Sequence, residues 1–333
     1  MTLVDSGSET ILDTGESAHF FEVAGNPVPD NARLGVVEAS DGFRIRYARW
    51  DAKIKPTKGT ILLLHGRTEF IEKYFETVDD LRHRGFAVLT FDWRGQGGSS
   101  RHTGNPRKGY VESYDEFGLD LEAILQNVLL PDCRAPYFAL GHSMGGLIAL
   151  YHAQLLSRQI NRMVLCAPFI GFADLPLPIG LVRFSSSILM ALGFGELFVS
   201  GGERPEERRP FQNNGLTGDA DRFERNRRLM MNSGDLGLGG PTVAWTRAKL
   251  KAQEVVNDPE HFVGIRTPNL MVGAGDDAIS NNRSTEVLAA SMRCGSLVTL
   301  PGARHEIMQE KDRIREQLWA AFEAFVPGSS DQF

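Results

Sequence analysis

Ser143 sits in the run "ALGHSMGGLIAL" (139–150), between glycine-bearing flanks and apolar residues. A hydroxyl buried without a partner costs free energy, and glycine weakens the helix that follows. The five residues Gly141-His142-Ser143-Met144-Gly145 match the G-x-S-x-G nucleophile elbow, which requires a strand before the serine and a helix after it. "PYFALG" (136–141) reads as that strand, and the residues beyond Ser143 read as that helix. Such a turn lifts the hydroxyl over the sheet edge. The small residues let strand and helix approach closely, and the helix N-terminus aims N–H groups at developing negative charge. The chemistry this prepares is attack by a serine oxygen on an acyl carbon.

A serine needs a base, and in this arrangement the chain order is serine, acid, histidine. Downstream stand His152, His261 and His305. His152 lies on the helix that Ser143 opens, and His261 in "NDPEHFVG" precedes a strand, at the wrong end of a sheet. His305 in "LPGARHEIMQEKD" follows the last strand, which puts it on the same edge as Ser143. It is the expected base. The acid should leave a strand between them, and "LMVGAGDDAIS" offers Asp276 and Asp277, with Asp174 as an outside candidate. Chemistry does not separate the two neighbours.

Two backbone donors are needed for an oxyanion. The N–H of Met144 follows from the elbow, and the N–H of Arg67, after Gly66 in "LLLHGRTEF", is the second expected donor. The glycines of "FDWRGQGGSS" read as turn glycines because no phosphate-loop lysine follows them. "HEIMQE" lacks the second histidine of a zinc peptidase helix, so neither a metal nor an organic cofactor is expected.

These side chains must be carried by a regular alternation of strands and helices. "TILLLHG" is a short continuous apolar run, the mark of a strand covered on both faces, and "FAVLTFD", "PYFALG", "RMVLCAP", "TPNLMVGAGDD" and "GSLVTLPG" read as further strands. Helical stretches separate them: 69–84, with Thr68 as its expected cap, 114–129, the segment after Ser143, about 282–292 and about 306–326. "RIRYARW" (44–50) pairs through Gly42 with "LGVVEAS" as a hairpin. The expected fold is α/β, a mostly parallel central sheet with helices on both faces. The rhythm is lost between 169 and 258, which reads as a largely helical insertion. The expected division is a polar lead-in over 1–34, core over 35–168, insertion over 169–258, core again over 259–327 and a tail over 328–333.

The chain has 333 residues, 42% of them hydrophobic, and a formal charge of −6. Such a charge argues against nucleic acid as a partner. Cys133, Cys166 and Cys294 are odd in number and widely spaced, which fits a reducing compartment. The N-terminus lacks a signal-peptide pattern, and Arg183, three serines and Glu196 interrupt the apolar stretch 179–199. The expected location is cytoplasmic. Surface contact between the insertion and a membrane stays open, as does the oligomeric state.

Taken together, "LLLHGRTEFIEKY", "LTFDWRGQGGSS", "LGHSMGG", "VGAGDD" and "LPGARHEIMQEKD" resemble the lysophospholipase L2 and monoacylglycerol lipase group of α/β-hydrolases, which carry the serine aminopeptidase S33 domain. The likeness spans about residues 35–326, and "GGPTVAWTRAKLKA" looks closer to the bacterial lysophospholipase L2 branch. The resemblance implies Ser143 as nucleophile, His305 as base and Arg67 as an oxyanion donor. It also selects Asp276, because the family's acid is followed two residues later by a small or branched apolar residue. The implied activity is hydrolysis of a single-chain acyl lipid, foremost a lysophospholipid, through an acyl-enzyme, with the insertion as a cap. Monoacylglycerols, short esters and lactones are the alternative substrates, and a ligand-binding protein on the same fold is the non-enzymatic one.

Overall fold

The computed structural model describes residues 18–174, 177–203, 210–234 and 236–327. Half of the expected lead-in and the expected tail therefore lie outside the described residues. The chain enters the sheet by a hairpin of β1 (Arg33–Glu38) and β2 (Arg44–Trp50). Gly42 sits at its turn with φ +85°, a conformation that suits glycine, and its N–H bonds the Ala39 carbonyl at 2.8 Å. Six further strands follow: β3 (Thr60–Leu64), β4 (Ala87–Phe91), β5 (Tyr137–His142), β6 (Ile160–Cys166), β7 (Asn269–Ala274) and β8 (Gly295–Leu300). The eight form one sheet in the order β1-β2-β4-β3-β5-β6-β7-β8. β1 and β2 pair antiparallel at one edge, and β3 to β8 run parallel.

The continuous apolar strands have the cause expected of them. Leu62 and Leu64 of β3 enter a core on one face of the sheet with Ala139, Leu147 and Ile148. Their neighbours Ile61 and Leu63 enter a second core with Phe138, Phe75, Leu318 and Phe322. Successive side chains of a strand point to opposite faces, so two covered faces require an unbroken apolar run.

The covering helices are α1 (Phe75–His83), α2 (Asp115–Ile124), α3 (Leu130–Asp132), α4 (Met144–Tyr151) and α5 (Ala153–Leu156) in the first part of the chain. α9 (Asn282–Ser291) and α10 (Asp312–Phe325) complete the set near its end. Thr68 does not cap the stretch before α1. Its backbone is left-handed at φ +64°, and its hydroxyl donates to the carbonyl of Arg67. The N–H of Ile71 is instead taken by Asp92 Oδ1, 2.9 Å away beyond β4.

Between β6 and β7 the chain leaves the sheet and forms α6 (Ile179–Ala191), α7 (Ala220–Asn232) and α8 (Val243–Val256). α8 is bound to the core by Gln253, whose amide donates to the Phe169 carbonyl at 2.8 Å. α7 is held by Glu76 of α1, which receives Arg222 at 2.6 Å and Arg225 at 2.7 Å. α6 is different. It exposes Leu181, Phe184 and Ile188, with Phe184 at 66% of full exposure. No described helix is long and apolar enough to cross a membrane.

Candidate active site

β5 ends at His142 and α4 begins at Met144, so Ser143 alone makes the turn, with φ +49° and ψ −111°. A non-glycine residue held there stores of order 1–3 kcal/mol, sustained only by its surroundings. Those surroundings explain the glycines. A Cβ at position 145 would lie 2.3 Å from the Leu64 carbonyl oxygen, and one at 141 would press on Leu165 and Gly146. The elbow is therefore closed by backbone contact between α4, β5 and the end of β3.

The turn brings the Ser143 hydroxyl 2.8 Å from His305 Nε2. His305 Nδ1 faces the carboxylate of Asp277, at 2.9 Å from Oδ2 and 3.1 Å from Oδ1. Burial would raise the carboxyl pKa, but the hydrogen bond and charge of His305 and the N–H groups of Ser280 and Ile279 hold it below the usual range. Asp277 thus stays ionised and fixes the imidazole with Nδ1 protonated and Nε2 turned to the serine.

The acid expected from the family pattern was Asp276, and here the structure corrects the sequence. Asp276 is exposed, while its backbone N–H still bonds the Ala303 carbonyl at 2.8 Å as the chain leaves the end of β7. The chain turns one residue later, with the Asp277 N–H on the Ala274 carbonyl, and this swings the second carboxylate under His305. The other histidines lie elsewhere. His152 Nε2 bonds the Tyr114 carbonyl at 2.9 Å, and His261 Nε2 bonds the Leu150 carbonyl at 3.0 Å. His65 bonds the Gly66 carbonyl through Nδ1 at 2.7 Å, and burial holds its pKa below the ordinary histidine value.

Behind this row lies a buried ionic cluster that no local sequence pattern marks. His142 Nε2 donates to the His305 carbonyl at 3.1 Å, and Nδ1 faces Glu69 Oε2 at 3.1 Å. Two acceptors require both ring nitrogens to donate, so His142 is an imidazolium here. Burial works against that charge, but Glu69 outweighs it and raises the pKa. Lys73 bridges Glu69 at 2.8 Å and Glu306 at 2.6 Å. Two cations thus face two carboxylates, the condition under which buried charge is tolerated. Glu69 also accepts from the Gly66 N–H at 2.5 Å and the Tyr74 hydroxyl at 2.6 Å. One carboxylate thereby ties the loop after β3 to the backbone of His305.

That loop carries Arg67, whose guanidinium reaches into the insertion. Its Nη2 donates to the carbonyls of Gly239 and Gly240 at 2.8 and 2.7 Å, and it stacks over Trp245 at 4.8 Å. Thr68 N–H is braced by Gln96 Oε1 at 2.9 Å. Met144 opens α4, so its N–H belongs to the first turn, where no intrahelical acceptor exists. Ser143, His305, Gly66 and Arg67 all border one cavity of about 620 Å³. Core residues form its floor, and Leu177, Val182, Phe223, Met230 and Trp245 of the insertion form its largely apolar walls.

The family described as serine aminopeptidase, S33 matches residues 55–312, most of the chain. The chain belongs to this hydrolase family. This S33-family chain is 31% identical over 288 residues to lysophospholipase L2 of Escherichia coli (strain K12), covering 83% of the chain and 82% of that protein. It is 30% identical over 266 residues to the probable lysophospholipase L2 of Haemophilus influenzae, covering 80% and 83%. Among solved structures, a soluble variant of monoglyceride lipase from Saccharomyces cerevisiae superposes with a TM-score of 0.68. That match covers 87% of the S33-family chain and 94% of the yeast protein at 22% identity, a likeness of α/β-hydrolase fold.

Proposed function

We propose that this S33-family hydrolase cleaves the carboxylic ester of a single-chain acyl lipid, and that its substrate is a lysophospholipid. The observation that carries the reading is the hydrogen-bonded row Ser143–His305–Asp277 at the floor of an apolar-walled cavity. In the reaction Ser143 gives its proton to His305 Nε2 and attacks the acyl carbon, while the N–H groups of Met144 and Arg67 receive the oxyanion. His305 then protonates the leaving glycerol oxygen. A water activated by the same nitrogen releases the fatty acid. Asp277 holds the imidazolium throughout.

The insertion over 169–258 acts in this reading as a cap, its apolar wall receiving the acyl chain. The exposed apolar side chains of α6 suit contact with a lipid surface from which the substrate is drawn. The lysophospholipid choice is supported by the two relatives that match over four-fifths of the chain and bear that name. The test is fatty-acid release from a lysophospholipid, a monoacylglycerol and a short ester, each beside Ser143→Ala. Release from the lysophospholipid that disappears in the variant is expected. Turnover confined to the short ester would remove the lipid reading.

A further inference from the structure

The lining of the cavity carries an amine that the reaction above does not use. Lys249 lies on α8 at 1% of full exposure, yet it borders the same cavity as Ser143. Its Nζ lies 3.2 Å from the ring centre of Phe172, 4.5 Å from that of Phe169 and 5.4 Å from that of Trp245. Among the described residues no carboxylate and no hydrogen-bond acceptor is paired with it. Burial and the neighbouring Arg67 charge push its pKa well below the ordinary lysine value. Three aromatic faces offset part of the cost of placing an ammonium there, but they supply no counter-charge.

Two more polar groups on the same turn of α8 share this condition. Among the described residues Trp245 Nε1 and Thr246 Oγ1 are buried without a hydrogen-bond partner, and both residues border the cavity. Buried donors are normally satisfied. Three unsatisfied donors within five residues of one helix, in a cavity shared with a nucleophile, describe a site built for an anion with several acceptor oxygens. The cavity's own carboxylates, Glu69 and Glu306, are already engaged by Lys73.

We infer that Lys249 Nζ, Trp245 Nε1 and Thr246 Oγ1 form a phosphate subsite that takes the phosphodiester of a lysophospholipid headgroup while its ester lies against Ser143. The inference rests on the lipid-ester reading and deepens it. In such a substrate a three-carbon glycerol bridge separates ester from phosphate, so one cavity has to serve both. A monoacylglycerol would leave the three donors unanswered.

The test compares wild type with Lys249→Met on two substrates of equal acyl chain, a lysophosphatidylglycerol and a monoacylglycerol, in the same mixed micelles. Loss of one charge-assisted contact corresponds to roughly a 10- to 100-fold effect. The variant should lose that much more kcat/KM on the phospholipid than on the monoacylglycerol, chiefly through KM. Equal losses on both, or none, overturn the subsite. A second arm titrates wild type with deacylated glycerophosphoglycerol and with a fatty-acid salt. Binding of the diester that Lys249→Met abolishes supports a phosphate site; binding of the carboxylate alone overturns it. If neither lipid is hydrolysed but the diester binds through Lys249, the lipid-ester reading fails and the anion site stands.

Discussion

At the scale of single residues, the acid is the sharpest case. Asp276 and Asp277 are chemically identical neighbours, and only the turn after β7 decides between them. Asp277→Asn should lower kcat by about 10⁴-fold, because the imidazole loses the charge that fixes its tautomer. Asp276→Asn should change kcat by less than about 3-fold, since its side chain is exposed and His305 Nδ1 is engaged by Asp277. Steady-state kinetics of both variants on one ester checks this, and the reverse order of effects would reject the assignment. The family pattern misses the distinction for a plain reason. A small or branched apolar residue two places on is satisfied by Ala278 for Asp276 and equally by Ile279 for Asp277. The meeting of Ser143 with His305 was legible because chain order and strand ends left few alternatives. The cluster of Glu69, Lys73, His142 and Glu306 was not, since Lys73 and Glu306 are 233 residues apart and nothing local signals that they meet.

At the scale of elements, the sequence showed strands better than it showed how helices begin. The inner parallel strands, β3 to β7, announced themselves as apolar runs because both sheet faces are covered there, whereas β8 at the sheet edge is half exposed. The start of the stretch before α1 departs from the Thr68 cap expected of it because its N–H partner, Asp92, comes from another element. The same kind of long-range link fastens α7. Burial would raise the Glu76 carboxyl, but Arg222, Arg315 and Arg225 together bring its pKa down to about 2. A carboxyl depressed on folding stabilises the protein above its unfolded pKa, and that contribution fades as pH falls through the folded value. Glu76 should therefore support the fold fully at neutral pH and lose its support between about 4.5 and about 2. Urea unfolding across that interval should show a gap between wild type and Glu76→Gln that narrows toward the acid end. A gap independent of pH would mean that Glu76 acts by packing and not by charge.

At the scale of the whole molecule, polarity is unevenly spread over the two sides of the cavity. The core side is ionic and braced, whereas α6 and its flanks turn Leu181, Phe184, Ile188 and Leu192 outward. Large apolar side chains grouped in the open on one helix mark a contact surface more often than singly scattered ones do. A triple change of Leu181, Phe184 and Ile188 to serine should reduce co-sedimentation with phosphatidylglycerol vesicles at least about 10-fold, since each buried side chain contributes about 1.5–3 kcal/mol. Turnover of a short water-soluble ester should stay within about 2-fold. Unaltered vesicle binding would assign lipid contact to another surface. None of this was readable from the apolar stretch 179–199 alone, because an amphipathic helix states only that one face is covered and not by what.

The tether from Arg67 to the carbonyls of Gly239 and Gly240 bears on how such a molecule can diversify. Residue 67 stands in the loop after β3, 172 residues before the first of its acceptors, so core and insertion share a joint that neither segment encodes alone. Grafting the insertion of a relative onto this core would separate a guanidinium from the two oxygens that hold it and from the indole on which it rests. A recombinant that exchanges the insertion while keeping its own residue 67 inherits a mismatched hinge beside the nucleophile. The transferable unit is therefore the insertion together with that one distant loop, and lineages that trade substrate range should carry the two as a linked pair.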